Sequence, residues 1–283
     1  MRQTQTVPTP VSSIDSVQGV LDALDEVIDR SLERGDRVGY FAAMYRQVTA
    51  KVAEGIADGF FDDGERMARL DVVFACRYLA ALERYQAGRA ATRSWELALQ
   101  ATSSARPIIV QHLLAGMNAH INLDLGIAAA TIAPGDDLPG LRRDFDRINE
   151  VLAILIGGIE GQVSEVSPWI GLLTRIGGRH DDEIVKFSIE VARTEAWRFA
   201  VELAPLDPDD WAGAISACDA RVARVGRRVL GPGLLGAGLV IIRARESNDV
   251  RRVIRVLTGV QLPTLASVEQ RARLARHEPP GAG

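Results

Sequence analysis

Along most of the chain, apolar residues recur every three or four positions, and short breaks rich in Gly, Pro, Ser and Asp separate these stretches. This spacing is that of one face of an α-helix. The clearest amphipathic stretches are 14–32, 38–56, 65–87, 138–162 and 181–203. Alternating β-branched runs joined by Asn-Gly or Asp-Gly turns do not occur, so the pattern predicts an all-α protein.

The breaks carry helix-start signals. In Asp62-Asp63-Gly64-Glu65, we expect the Asp62 carboxylate to accept the amide proton of Glu65 and so begin a helix. Ser167-Pro168 and Asp207-Pro208 each combine an N-cap residue with proline at the first helical position. The sequence therefore predicts many helices of ordinary length.

No long linker divides the chain, which favours a single multi-helix bundle of about ten helices around one or more buried central helices. We expect residues 1–12 to form a disordered tail, 13–262 the helical domain, and 263–283 a C-terminal helix and flexible tail. A division into two domains near Gly177-Gly178 is the alternative.

Composition narrows the class of protein. The chain is 47% hydrophobic, only 5% aromatic and carries a net charge of −4, which excludes a disordered protein and gives no general attraction for nucleic acid. Two cysteines exclude a disulfide scaffold. The longest uncharged apolar stretch, 229–242, is shorter than the roughly 20 residues of a membrane span. We therefore expect a cytoplasmic protein with no membrane span and no nucleic-acid partner.

Candidate chemistry lies in one unusual helix. Phosphate-binding glycine loops, HExxH, GxSxG and CxxC are absent from the sequence. The helix predicted from about 107 to 132 has no Lys, Arg or Glu after residue 110, which indicates that other helices surround it. Polar side chains in such a helix are buried and need partners. They are His112, Asn118, His120, Asn122 and Asp124.

The spacing of these residues limits what they can do together. His120 and Asp124 are one helical turn apart, so they can form a hydrogen bond or share a metal ion. Asn118 and Asn122 form a second such pair on the opposite flank, as expected of groups that bond between helices. Such a set of buried polar side chains is equally consistent with a structural hydrogen-bond network and with a catalytic or ligand-binding site.

Two further positions extend the candidate site. Asp71 lies on an inward-facing stripe, where it is a third acidic candidate, although an ion pair with an arginine is the alternative interpretation. Trp197 ends a stripe of acidic and aromatic residues that begins near His180. The resulting candidates are His120, Asp124 and Asp71 as catalytic residues, His112, Asn118, Asn122 and Trp197 as substrate contacts, and His120, Asp124 and His180 as ligands of iron or zinc.

The segments HLLAGMNAHINLDL and FFDDGERMARLDVVFACRYLAAL resemble the domain of unknown function 5995 family, over roughly 40–257. The resemblance implies an all-helical protein and supplies no catalytic residues. It draws attention to the matching polar positions, which are Asp62, Arg66, Asp71, His112, Asn118, His120, Asn122 and Asp124.

The sequence is consistent with three functions. The first is an enzyme acting on an apolar small molecule, of lipid, polyketide or terpenoid type, with a metal at His120 and Asp124 that activates water or oxygen. The second is a metal-free catalyst or binder of such a molecule, in which the same pair acts as acid and base or as an anchor. The third is a structural protein whose polar network only fixes helix packing.

Overall fold

The computed structural model describes residues 11–163, 166–167, 189–231 and 242–259. Within these residues the chain forms ten α-helices and no strand, which confirms the all-α bundle. The helices are α1 (Val17–Arg34), α2 (Val38–Ala57), α3 (Gly64–Gln86), α4 (Arg93–Thr102), α5 (Ile109–Ala119), α6 (Leu125–Ile132), α7 (Leu138–Val163), α8 (Ile189–Leu203), α9 (Trp211–Leu230) and α10 (Val250–Thr258). None of the described helices is both long and apolar enough to cross a bilayer.

A π-helical turn, His120–Asp124, joins α5 to α6. At its end the Leu125 amide donates to the His120 carbonyl, five residues back instead of the usual four. The long central helix of the sequence prediction is therefore present, but it is interrupted at the positions that carry the polar side chains. A local widening of this kind gives no signal in hydrophobic periodicity.

The central helix α5–π–α6 separates two buried apolar clusters. Around α5, the first cluster contains side chains of α1, α2, α3, α4 and α10. Around α6, the second contains side chains of α3, α7, α8 and α9. The low charge of 111–134 thus reflects the burial of most of its side chains against the surrounding helices, as predicted from the sequence.

Close approach of helices is possible where the central helix carries glycine. A Cβ atom on Gly126 would lie 2.7 Å from the backbone carbonyl oxygen of Ala196, so the backbones of α6 and α8 approach each other closely at this point. A Cβ atom on Gly116 would lie 2.6 Å from the Phe41 ring. These contacts hold α8 and α2 against opposite ends of the central helix.

One predicted helix start was wrong by a residue. The N-cap of α3 is Asp63, whose carboxylate accepts the Arg66 amide proton at 2.9 Å. The Asp62 carboxylate instead pairs with Arg147 and with Arg143. The Asp207 cap is observed, since its carboxylate accepts the Asp209 amide proton. The Ser167-Pro168 start extends into a range that lies outside the described residues.

The remaining domain expectations stay predictions. A short 3-10 turn, Val11–Ser13, precedes α1 and includes the last two residues of the predicted tail. Residues 1–10 and 260–283 lie outside the described part, as does the alternative boundary at Gly177-Gly178.

Candidate functional site

His120 and Asp124 lie on one side of the π turn and form a buried network. Nδ1 of His120 is 3.4 Å from Oδ2 of Asp124, the contact predicted from their spacing. The same Oδ2 accepts the indole proton of Trp95 at 2.7 Å, and Oδ1 accepts Nε–H of Arg77 at 2.8 Å. Three helices, α3, α4 and the central helix, therefore meet at a single carboxylate.

The charges in this network are set by burial and by its partners. Burial alone would raise the pKa of Asp124, but Arg77 and the hydrogen bonds from His120 and Trp95 hold it below its ordinary value. Burial lowers the pKa of His120, so the ring is neutral at pH 7. The contact with the Asp124 carboxylate then assigns the proton to Nδ1, and Nε2 is a buried atom without a hydrogen-bond partner.

Aromatic side chains enclose the His120 ring. Phe74 stacks on it with ring centroids 3.5 Å apart and planes 6° apart. The Tyr45 ring contacts it edge-on with ring centroids 4.5 Å apart, and the rings of Phe41, Tyr78 and Trp95 also surround it. Only 3% of the His120 side chain is exposed. The imidazole is thus packed as a core aromatic group with a polar edge.

Asp71 is buried, as the sequence predicted, but it does not join the network. It makes no ion pair with an arginine of the described chain, and no hydrogen bond links it to His120 or Asp124. Its Oδ2 is buried without a partner, and burial raises its pKa to about 7. The alternative interpretation of Asp71 as half of an ion pair therefore has no partner among the arginines of the described residues.

The donor set does not fit a metal ion at His120 and Asp124. Both oxygens of Asp124 already accept protons, one of them from a cationic guanidinium. Within the described residues, no three His, Cys, Asp or Glu side chains are placed to share a metal ion. His180, the remaining metal candidate, lies outside those residues, so the iron or zinc site stays a prediction without geometric support here.

Asn118 and Asn122 lie on the other side of the central helix, as predicted. Asn122 Nδ2 donates to Asn118 Oδ1 at 3.1 Å, and Asn118 Nδ2 donates to the Val222 carbonyl of α9 at 3.0 Å. The Cys218 thiol approaches the Asn122 carbonyl at 3.6 Å. This pair therefore joins the central helix to α9.

A cleft of about 500 Å³ opens beside the asparagine pair, between α8 and α9. Asn118, Asn122 and Cys218 line it together with residues of both helices. Its apolar lining includes Val191 and Val225, which are 56% and 39% exposed and are two of the four large exposed apolar side chains of the described chain. Its volume lies within the range of small-molecule sites.

Two of the predicted substrate contacts lie elsewhere. His112 is buried beside a cavity of about 20 Å³, with its ring edge-on to Tyr40 at 5.8 Å. Burial lowers its pKa to about 4. Trp197 packs against Phe145 and lies under the Arg142 guanidinium, away from the cleft. The predicted substrate set is therefore divided among three places.

Sequence reasoning missed Arg77 and Trp95 as partners of Asp124. One signal was available for Arg77, which interrupts the apolar run from 72 to 82 and so faces either solvent or a buried carboxylate. It also missed the lining residues of α8 and α9, such as Val225. Nothing in the local pattern separates such a valine from an ordinary surface residue.

The family of unknown function DUF5995 has a sequence model that matches residues 17–232, most of the chain. The chain belongs to this family. No curated protein and no solved structure matches it.

Proposed function

We propose that this DUF5995 protein binds an amphipathic small molecule in the cleft between α8 and α9. The observation that carries the proposal is the cleft of about 500 Å³ with two exposed valines on its walls and a polar floor. Exposed apolar side chains that line a concave surface are typical of ligand sites, because burial of their surface drives binding.

The floor of the cleft supports the same proposal. Asn122 uses its Nδ2 to bind Asn118, and its carboxamide oxygen has no partner among the described residues. That oxygen can accept a hydrogen bond from a ligand, and a small number of such groups fixes the orientation of an otherwise apolar molecule. The asparagine half of the predicted site is thus assigned to ligand contact.

The histidine half supports this floor instead of reacting with the ligand. His120 and Asp124 lie on the same turn as Asn122 but face α2, α3 and α4. Their network fixes the position of the π turn and hence of the Asn122 side chain. The Asp124 carboxylate, with hydrogen-bond donors on α3, α4 and the central helix, favours one arrangement of these helices.

Binding of the neutral fluorescent dye Nile red tests the proposal. Val191→Glu and Val225→Glu together place two carboxylates on the cleft walls, and we expect the affinity for the dye to fall at least about tenfold, since charge on an apolar contact surface is costly. Val201→Glu is the matched control, because Val201 is also on α8, is 52% exposed and does not line the cleft. Equal affinities of the double variant and the native protein would contradict the proposal.

The second candidate is a metal-free enzyme that uses His120 as a general base. One observation favours it: Nε2 of a neutral His120 is a proton acceptor without a partner, and Asp124 orients the ring. Diethyl pyrocarbonate, which acylates accessible imidazole nitrogen, separates the two functions. Modification of His120 in the folded protein at a rate near that in urea would favour catalysis, and protection would favour the supporting role.

A further inference from the structure

The cleft between α8 and α9 carries more positive than negative side chains. Arg198, Arg221 and Arg228 line it, against Glu195 and Glu202. Glu195 is paired with Arg198 one turn along the same helix. The cleft is therefore slightly cationic in a protein whose overall charge is −4, and this local excess points to a ligand of opposite charge.

Arg221 is the group best placed to bind an anion. It is exposed on α9, lies beside the buried Cys218 thiol, and has no carboxylate partner among the described residues. A guanidinium presents two parallel N–H groups that match the two oxygens of a carboxylate. Its position beside Cys218 places this charge at the level of the polar floor.

The apolar lining continues from this charged end. Val225 is one helical turn after Arg221 on α9, and Val191 faces the cleft from α8. Phe199 and Val222 lie deeper in the same lining. A molecule that satisfies both regions has an acidic head group and an aliphatic or alicyclic body.

We infer that the ligand of this cleft is an amphiphilic anion whose acidic head group is bound by Arg221 and whose apolar body lies against Val191 and Val225. This inference rests on the proposed function, because it assigns the chemistry of the same site. A hydroxyl or N–H group on the body completes the match, since the Asn122 carboxamide oxygen can only accept.

The fluorescent acid dansylaminoundecanoate and its methyl ester form a matched pair of probes that differ in the charge of the head group. For the native protein we expect the acid to bind about tenfold more tightly than the ester, the range of one charge-assisted hydrogen-bonded pair. In Arg221→Gln the acid is expected to lose this advantage while the affinity for the ester is unchanged. Arg224→Gln, an exposed arginine of α9 outside the cleft, is expected to behave as the native protein.

The outcomes separate the two proposals. Equal affinities of acid and ester for the native protein, or an unchanged ratio in Arg221→Gln, would overturn the anion assignment and leave a cleft that binds neutral molecules. Absence of binding by both probes, together with absence of Nile red binding, would remove the site itself. A ratio that falls in Arg221→Gln and is kept in Arg224→Gln supports the assignment.

Discussion

Replacing Asp71 with asparagine removes an ionisable group from the core and keeps its shape. Asp71 is buried on α3, its Oδ2 has no hydrogen-bond partner, and no basic side chain of the described residues compensates its charge. Burial raises the pKa of this carboxyl from 3.8 to about 7. The folded protein therefore holds a proton that the unfolded chain releases over a wide pH range.

The sign and size of the effect follow from this difference. The raised pKa favours folding fully below about pH 4, and this contribution is lost as the pH rises through about 7. A separation of about three pH units corresponds to about 4 kcal/mol, an upper limit because water admitted by local opening would solvate the ionised carboxylate. We expect Asp71→Asn to be more stable than the native protein by about 2–4 kcal/mol at pH 8 and nearly equal to it at pH 4.

Urea unfolding followed by circular dichroism between pH 4 and pH 8 measures this difference. Asp219→Asn is the control, because Asp219 is also buried but accepts protons from the Arg93 amide and from the amide and hydroxyl of Ser94. That variant is expected to lose stability across the whole range. An Asp71→Asn protein that is less stable than the native one at pH 8, or that keeps the native pH profile, would refute the reasoning.

Three further substitutions test the packing around the central helix. Asp124→Asn is expected to lower the free energy of unfolding in urea by about 2–4 kcal/mol, because one amide oxygen cannot accept from all three donors of the native carboxylate. A loss below about 1 kcal/mol would contradict this. Gly126→Ala forces a Cβ atom against the Ala196 carbonyl and should cost about 1–3 kcal/mol in thermal unfolding, whereas Gly213→Ala meets open space and should cost nothing. His112→Gln should reduce the loss of stability on acidification. Neutral, buried His112 contributes stability that is present above pH 6.5 and is lost as the pH falls through about 4. An acid unfolding profile equal to that of the native protein would contradict this prediction.

The helices could be predicted because burial imposes a period on the sequence. The stretch 111–134, which has no Lys, Arg or Glu, is surrounded by other helices, as its composition indicated. The cap of α3 could not be chosen from two adjacent aspartates, since both have a suitable side chain. Tertiary contacts decide it: Arg147 holds the Asp62 carboxylate, so Asp63 is left to cap the helix.

The candidate site was predictable only where it depended on local spacing. The contacts of His120 with Asp124 and of Asn118 with Asn122 follow from one helical turn. Their outer partners do not, because Arg77 is 47 residues away from Asp124 in the chain. The cleft could not be predicted from the local sequence pattern either, because its walls are formed by two helices that are distant in sequence from the central helix.

The π turn explains why one short segment carries two unlike sets of polar side chains. A π turn is rare because it gives up regular α-helical hydrogen bonding, so it persists where other interactions stabilise it. Here the buried Asp124 carboxylate supplies them, through donors on α3 and α4. The widened turn carries Asn122 on its opposite side, at the floor of the cleft. The buried network on one face of the turn thereby fixes the geometry of the proposed ligand site on its other face.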